Sequence, residues 1–105
     1  MKECYSIKSL LEQKVNLCFS TDAPATSWAV PSDPFVCIKG AVTRKAYDGT
    51  DCGDDQIIDM KTAIILYTKK SAQIAGFKNL GQLKTGYKAN FITLDRDIFA
   101  IKRKP

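Results

Sequence analysis

The first half of the chain contains hydrophobic positions at two spacings, and each spacing predicts a different element. One set recurs at helical spacing directly after Ser6, which predicts a short capped helix over residues 6–13. The next set alternates with polar residues and predicts a strand that ends at residues 21–22. The helical set is Ile7, Leu10 and Leu11, and the alternating set is Val15, Leu17 and Phe19.

Two longer helices are predicted further along the chain. Residues 23–32 contain two prolines and small residues, which favours a loop. Asp33 and Pro34 then provide an N-cap and a proline at the first helical position, so a helix of about three turns is expected to end near Arg44. Its apolar stripe consists of Phe35, Ile38, Ala41 and Val42.

Residues 47–55 are rich in Gly and Asp and predict an exposed loop. Asp59 is then a suitable cap for the longest helix, which Gly76 would end. This helix is expected to be largely buried, since its apolar face is wide. The face consists of Met60, Ala63, Ile64, Leu66, Tyr67, Ile74 and Ala75.

The last part of the chain predicts turns and short strands. Gly81 and Gly86 bracket turns, and residues 91–94 and 98–101 are short apolar runs around an Asp-Arg-Asp sequence. The fold class predicted from these elements is α+β, with two or three helices and three or four short strands.

Composition places the chain among ordinary globular domains. It has 105 residues, 45% of them hydrophobic and 26% charged, which is enough apolar material for one core. No apolar run reaches membrane-spanning length and no signal-peptide core follows the N-terminus, so a soluble, cytoplasmic protein without membrane association is expected. Four cysteines stand far apart without a C-x-x-C pair, which favours reduced, partly buried thiols over a zinc ribbon, with a disulfide pair as the alternative.

The net charge of +5 permits contact with polyanions, but the basic residues are spread along the chain. Only residues 102–104 form a basic cluster, and no nucleic-acid recognition motif is present. Nucleic acid is therefore not expected as a partner, and binding through the basic C-terminal end is the alternative.

Four motifs in order resemble the C-terminal portion of the amidohydrolase superfamily, in particular its N-substituted formamide deformylase-like branch. They are STDAP at residues 20–24, DPF at 33–35 with AVTR at 41–44, AIILYTKKSA at 63–72, and GQLKTGYKANFITLD at 81–95. Together they cover nearly the whole chain. Asn90 replaces an aspartate that is usual in the last motif, and Tyr87 stands as an insertion beside its Gly-Lys step.

The resemblance implies a fragment of a larger architecture. Residues 1–78 would supply the last strand and helices of a (β/α)8 barrel, and residues 79–105 would supply strands of a composite β-sandwich, the two behaving as one small domain. In such enzymes the aspartate that ends the last barrel strand binds a divalent metal and manages the proton of the attacking water. By position this residue is Asp22, the candidate catalytic and metal-binding residue.

The chain contains no histidine, although the family takes most of its metal ligands from that residue type. The resemblance therefore implies a segment of a metal-dependent hydrolase of non-peptide C–N bonds that is inactive alone. No cofactor is expected in the isolated chain, whereas a full-length relative would hold a zinc-like divalent metal. The alternative is a non-catalytic structural module whose exposed apolar faces bind a second copy or the missing N-terminal portion.

Several other residues have both a functional and a structural interpretation, and the structural one is favoured for each. Cys18 shares a strand face with Asn16 and Ser20 and would point toward a barrel site, or pack as a small apolar residue. The loop at residues 48–53 resembles a calcium-binding loop only in its glycine. The remaining candidates are Trp28, Arg44, Tyr67, Thr68 and Lys88, expected to pack, hold loops or face solvent.

Overall fold

The computed structural model describes residues 6–20, 33–45 and 48–100, and these form helices around a small apolar core. Four α-helices and one 3-10 turn occur in these ranges. They are α1 (Ile7–Glu12), α2 (Pro34–Thr43), the turn at Asp54–Gln56, α3 (Met60–Tyr67) and α4 (Lys69–Ala75).

Helix α2 begins and ends where its local sequence predicts. The Asp33 carboxylate accepts a hydrogen bond from the Phe35 N–H at 2.9 Å, and Pro34 occupies the first helical position, where no N–H is needed. Arg44 ends the helix in the left-handed conformation, with φ of 53°. The predicted helix is confirmed.

The predicted single helix after Asp59 is instead two helices that meet at Thr68. Asp59 caps α3 as expected, by accepting the Thr62 N–H at 2.8 Å, and Gly76 ends α4 with φ of 80°. At Thr68 the backbone leaves helical geometry, with φ of −116° and ψ of −78°. The Thr68 hydroxyl donates to the Ile64 carbonyl at 2.7 Å, a bond of the kind that bends helices.

Helix α1 receives its N-terminal cap from a residue far along the chain. The Ser9 N–H in its first turn donates to the Gln56 side-chain oxygen at 2.9 Å, and the Gln56 amide donates to the Ser9 hydroxyl at 2.8 Å. Ser6, the predicted cap, makes no side-chain capping bond to this helix. Gln56 is buried, so this pair of bonds joins α1 firmly to the 3-10 turn.

The core lies between α2 and α3. The Ile58 N–H donates to the Ala41 carbonyl at 3.3 Å, which ties the chain before α3 to α2. Residues from α1 and from the segment after it cover the edge of this core. The buried cluster consists of Ile38, Ala41, Val42, Ile58, Ala63 and Leu66, and the side chains packed on it include Ile7, Leu11, Leu17 and Phe19.

The predicted strands are absent from the described residues, where an isolated antiparallel bridge between Lys45 and Asp51 is the only β pairing. Residues 15–20 and 91–94 therefore differ from prediction, and residues 98–100 lie in a turn. A strand is defined by pairing with a neighbour, and these ranges find none among the described residues. The α+β barrel-and-sandwich architecture remains a prediction.

The described residues after α4 pack loosely and expose several large apolar side chains. Phe77, Leu83, Phe91 and Ile92 are 63%, 69%, 68% and 71% exposed. Gly81 and Gly86 both adopt positive φ in the turns that the sequence predicts. Among the helices of the described ranges, none has the length and apolarity needed to cross a lipid bilayer.

Candidate functional site

The chain that leads to Asp22 is held against the point where α3 meets α4. We call this point the α3–α4 junction and define it by Leu66, Thr68 and Ser71. The Phe19 N–H donates to the Leu66 carbonyl at 3.0 Å, and the Ser71 hydroxyl lies 2.9 Å from the Phe19 carbonyl oxygen. Both backbone polar groups of Phe19 are therefore engaged by the junction.

The helix break makes this contact available. Leu66 lies in the last turn of α3, where carbonyl groups lack N–H donors within their own helix. Its carbonyl accepts the Phe19 N–H and also lies 2.9 Å from the Ser71 hydroxyl. The Phe19 ring meets Tyr67 edge to face, with ring centres 6.4 Å apart. Backbone and side chain thus anchor Phe19 to the same helix end.

A groove of about 440 Å³ lies beside this contact, and Ser20, two residues before Asp22 in the sequence, is among the residues that line it. Most of its wall is apolar, and hydroxyl groups provide its polar edge. Cys18 lies in the wall, so the interpretation of this residue as a partly buried side chain agrees with its position. The lining residues are Cys18, Phe19, Ser20, Thr68, Ser71, Ala72, Ile74, Ala75 and Phe77.

Asp22 and Trp28 lie outside the described residues. The prediction that Asp22 is a catalytic and metal-binding residue therefore stays a prediction. The structure does give the position of the chain immediately before it, since residues 15–20 are described and Phe19 is fixed on the junction.

Arg44 holds a loop, as the structural interpretation of this residue predicted. Its guanidinium donates to the Gly53 carbonyl at 3.1 Å and to the Cys52 carbonyl at 2.7 Å, and its own carbonyl accepts the Cys52 N–H at 2.7 Å. The side chain is buried, with the whole residue 6% exposed. A buried guanidinium bonded to carbonyl groups has a structural function, and Arg44 is not available to a substrate here.

In the loop at residues 48–53, carboxylates accept hydrogen bonds that form local turns. Asp48 accepts the Thr50 N–H at 2.9 Å, and Asp51 accepts the Gly53 N–H at 2.8 Å. The hydrogen bonds from Thr50 lower the pKa of Asp48 below its ordinary value. In the part of the chain that the structure describes, no group of three His, Cys, Asp or Glu side chains is placed to hold a metal ion.

Four further residues have surroundings that suit structural positions. Burial, with a smaller contribution from the Asp33 charge, raises the pKa of the Cys37 thiol and keeps it protonated. Lys88 is exposed beside a turn, as the sequence predicts, and its backbone N–H donates to the Asn79 carbonyl at 2.8 Å. Tyr67 packs against the core cluster, and Thr68 ends α3.

The sequence profile of the amidohydrolase family matches residues 1–104, which is almost the whole chain. The chain belongs to the amidohydrolase family. The motifs at residues 20–24, 63–72 and 81–95 lie within this match, so the resemblance predicted from them is confirmed at the level of the superfamily.

Two relatives agree with this assignment. The chain is 33% identical over 105 residues to YtcJ, a Bacillus subtilis (strain 168) protein designated as an amidohydrolase. The match covers 96% of the chain and 19% of YtcJ. The chain is also 33% identical over 89 residues to a 5-methylthioadenosine/S-adenosylhomocysteine deaminase of Dictyoglomus thermophilum (strain ATCC 35947 / DSM 3960 / H-6-12), covering 85% of the chain and 20% of that protein.

The chain thus spans about a fifth of the length of these two relatives. No solved structure matches it significantly.

Sequence reasoning identified the family but missed Ser71 and Gln56, which make the hydrogen bonds that hold Phe19 and α1. Ser71 lies inside the motif at residues 63–72 but was assigned no role there, and Gln56 stands in no motif. The partner of each lies about 50 positions away in the sequence, at separations of 52 and 47.

Proposed function

We propose that the chain is the C-terminal portion of a metal-dependent amidohydrolase that cleaves C–N bonds other than peptide bonds. The observation that carries this proposal is the family match over residues 1–104, combined with two relatives of which the match covers only about a fifth. Both relatives have names that denote C–N bond cleavage, by amide hydrolysis or by deamination. The N-substituted formamide deformylase-like branch is the finer assignment that the motifs suggest.

Asp22 is the residue we propose for the chemistry. In the sequence it follows Phe19, which the α3–α4 junction holds, after two intervening residues. A carboxylate there would be one ligand of a divalent metal, and it would accept a proton from the attacking water and give it to the leaving amine. A bound divalent metal would supply the lowered pKa of that water.

The described residues do not provide a complete ligand set. They contain no cluster of three metal-binding side chains, and the whole sequence lacks histidine. A catalytic zinc site ordinarily takes three protein ligands. We therefore propose that the other ligands come from a polypeptide segment beyond this sequence and that the chain is inactive alone. A cytoplasmic location belongs to the same proposal.

A chimera tests this proposal. The fifth of YtcJ that aligns with this chain is replaced by residues 1–105, and the product is compared with its Asp22→Asn variant. We expect the chimera to retain stoichiometric metal by mass spectrometry and to hydrolyse at least one non-peptide amide from a panel. Asp22→Asn should lose both properties, because it removes the proposed carboxylate ligand.

The matched control is Asp95→Asn, which changes a carboxylate whose side chain is 81% exposed. It should leave metal content and turnover unchanged. Equal metal content and turnover in the Asp22→Asn chimera would disprove the proposed role of Asp22. A purified 105-residue chain that holds metal tightly and hydrolyses amides by itself would disprove the proposal that the site is shared.

The exposed apolar side chains after α4 favour a second candidate function, a non-catalytic module that self-associates. Phe77, Leu83, Phe91 and Ile92 are each more than 60% exposed, and exposed apolar clusters favour association. Size-exclusion chromatography with light scattering tests this candidate. A dimer at micromolar concentration that Phe91→Ser converts to a monomer would support it, and a wild-type monomer would contradict it.

A further inference from the structure

We infer that the α3–α4 junction occupies the place of a neighbouring strand beside Phe19, so that a strand of another polypeptide can pair with the edge of residues 15–20 that contains the Phe19 N–H and C=O only after this contact opens. The contact is defined by the hydrogen bonds of Phe19 to Leu66 and Ser71, and we call it the Phe19 latch. The inference rests on the proposed function in one respect, since it takes these residues to become a strand in the assembled enzyme.

The geometry of a strand makes the Phe19 latch and strand pairing through Phe19 mutually exclusive. A backbone N–H is a single donor, and in a ladder the N–H and C=O of one residue bond to the same neighbouring strand. In this structure the Phe19 N–H donates to the Leu66 carbonyl at 3.0 Å. The Ser71 hydroxyl donates toward the Phe19 carbonyl at 2.9 Å. A neighbouring strand that pairs through Phe19 would have to replace the bond of its N–H to Leu66 and compete with Ser71 for its carbonyl.

The latch also has a protective effect. An unpaired strand edge is a template for pairing with other chains. Here residues 15–20 alternate apolar and polar side chains as a strand does, yet Phe19 presents its donor to a helix end instead of to solvent. Edge-to-face packing of the Phe19 ring on Tyr67 holds the side chain on the same helix end. Opening the latch therefore separates both the backbone bonds and the ring contact.

Ser71 is the residue through which the latch can be weakened with little change in shape. Ser71→Ala removes the hydroxyl that bonds to the Phe19 and Leu66 carbonyls, and leaves α4 with a good helix former. Ser71→Thr keeps a hydroxyl and is the rescue variant. Thr43→Ala is the matched control, because the Thr43 hydroxyl donates to the Lys39 carbonyl at 2.8 Å, on a different helix.

The first measurement is amide hydrogen exchange of the 105-residue chain by NMR. We expect the Phe19 amide to exchange about fivefold faster in Ser71→Ala than in wild type, the effect of losing one hydrogen bond from a local opening equilibrium. Amides of α2 should be unaffected, and Thr43→Ala should leave Phe19 unchanged. An unchanged Phe19 rate in Ser71→Ala, or equal acceleration of all amides, would overturn the inference.

The second measurement is the rate of self-association by light scattering, with a second copy of the chain as the strand donor. Ser71→Ala should associate about fivefold faster than wild type, because the open state is more populated by that factor. Ser71→Thr should return the rate toward wild type. Equal or slower association of Ser71→Ala would overturn the inference.

Failure of the proposed function can be distinguished from failure of the latch. A YtcJ chimera without metal, together with faster Phe19 exchange in Ser71→Ala, would disprove the proposed function and leave the latch in place.

Discussion

Gly81 lies directly against Ala72 of helix α4. A Cβ added to Gly81 would be 2.8 Å from the Ala72 Cβ and 2.8 Å from the Thr68 carbonyl oxygen, closer than real Cβ atoms approach. Gly81 also has φ of 95°, which side chains rarely adopt. The chain after α4 therefore needs a residue without a side chain at position 81, where it crosses the α3–α4 junction.

Gly81→Ala is expected to destabilise the fold by about 2–4 kcal/mol, because overpacking adds to the strain of a positive φ. Urea unfolding followed by circular dichroism measures this change. The control is Gly86→Ala, which has φ of 86° and open space around the added Cβ, and should cost about 1–2 kcal/mol from φ alone. Equal losses in the two variants would show that the close approach to Ala72 is unimportant.

Arg44→Lys should cost about 1–3 kcal/mol, although it preserves the charge. The planar guanidinium bonds to two carbonyl groups of the loop, and a single ammonium group cannot reproduce this geometry. The free energy of unfolding in urea is the measurement. Arg96→Lys is the matched control. Arg96 pairs with Asp95 at the surface, with side chains 71% and 81% exposed, so the change should stay below about 0.5 kcal/mol.

Gln56→Ala should destabilise α1 selectively, by about 1–2 kcal/mol, because it removes both side-chain bonds to the first turn of that helix. Hydrogen exchange of α1 amides should accelerate more than that of α2. Ser9→Ala removes only the bond to the Ser9 hydroxyl and leaves the bond from its N–H, so its effect should be smaller. A larger effect for Ser9→Ala than for Gln56→Ala would contradict the proposed capping.

Asp59 makes the start of α3 sensitive to acid. Hydrogen bonds from Thr62 lower the pKa of this carboxyl in the folded state. Since the folded pKa lies below the unfolded value of about 3.9, the contribution is present above that pH and is lost as the pH falls through the folded pKa. Asp59→Asn should remove this pH dependence while keeping most of the cap, and Asp59→Ala should cost about 1 kcal/mol at pH 7.

Thermal unfolding at pH values from 2.5 to about 7 checks this prediction. The midpoint of wild type should fall more steeply below about pH 4 than that of Asp59→Asn. Parallel curves for the two proteins would mean that the Thr62 bond does not distinguish the charged carboxyl from the neutral one.

Elements with local signals were predictable from the sequence, and α2 shows why. Asp33, Pro34 and the apolar stripe act within a few residues of one another, so the start and end of the helix need no tertiary information. The break at Thr68 was not predictable, since the apolar pattern continues through it. A threonine in a helix has several hydrogen-bonding options, and the surrounding packing selects among them.

The strands and the candidate site depend on contacts between distant residues, which the local sequence does not predict. Alternation at Val15, Leu17 and Phe19 predicts which side chains share a face, and Leu17 and Phe19 do pack on the core. Whether such a segment becomes a strand depends on a pairing partner that its own sequence does not contain. The contact between Phe19 and Ser71 joins residues 52 positions apart, and a pattern read along the chain cannot indicate it.

The cap that Gln56 gives to α1 has a consequence for synthesis on the ribosome. A helix of six residues is too short to persist in water by itself, and the Ser9 N–H in its first turn is bonded to a side chain 47 positions later. During translation, the segment that forms α1 must therefore wait, without lasting helical order, until that distant glutamine has been made and released from the exit tunnel.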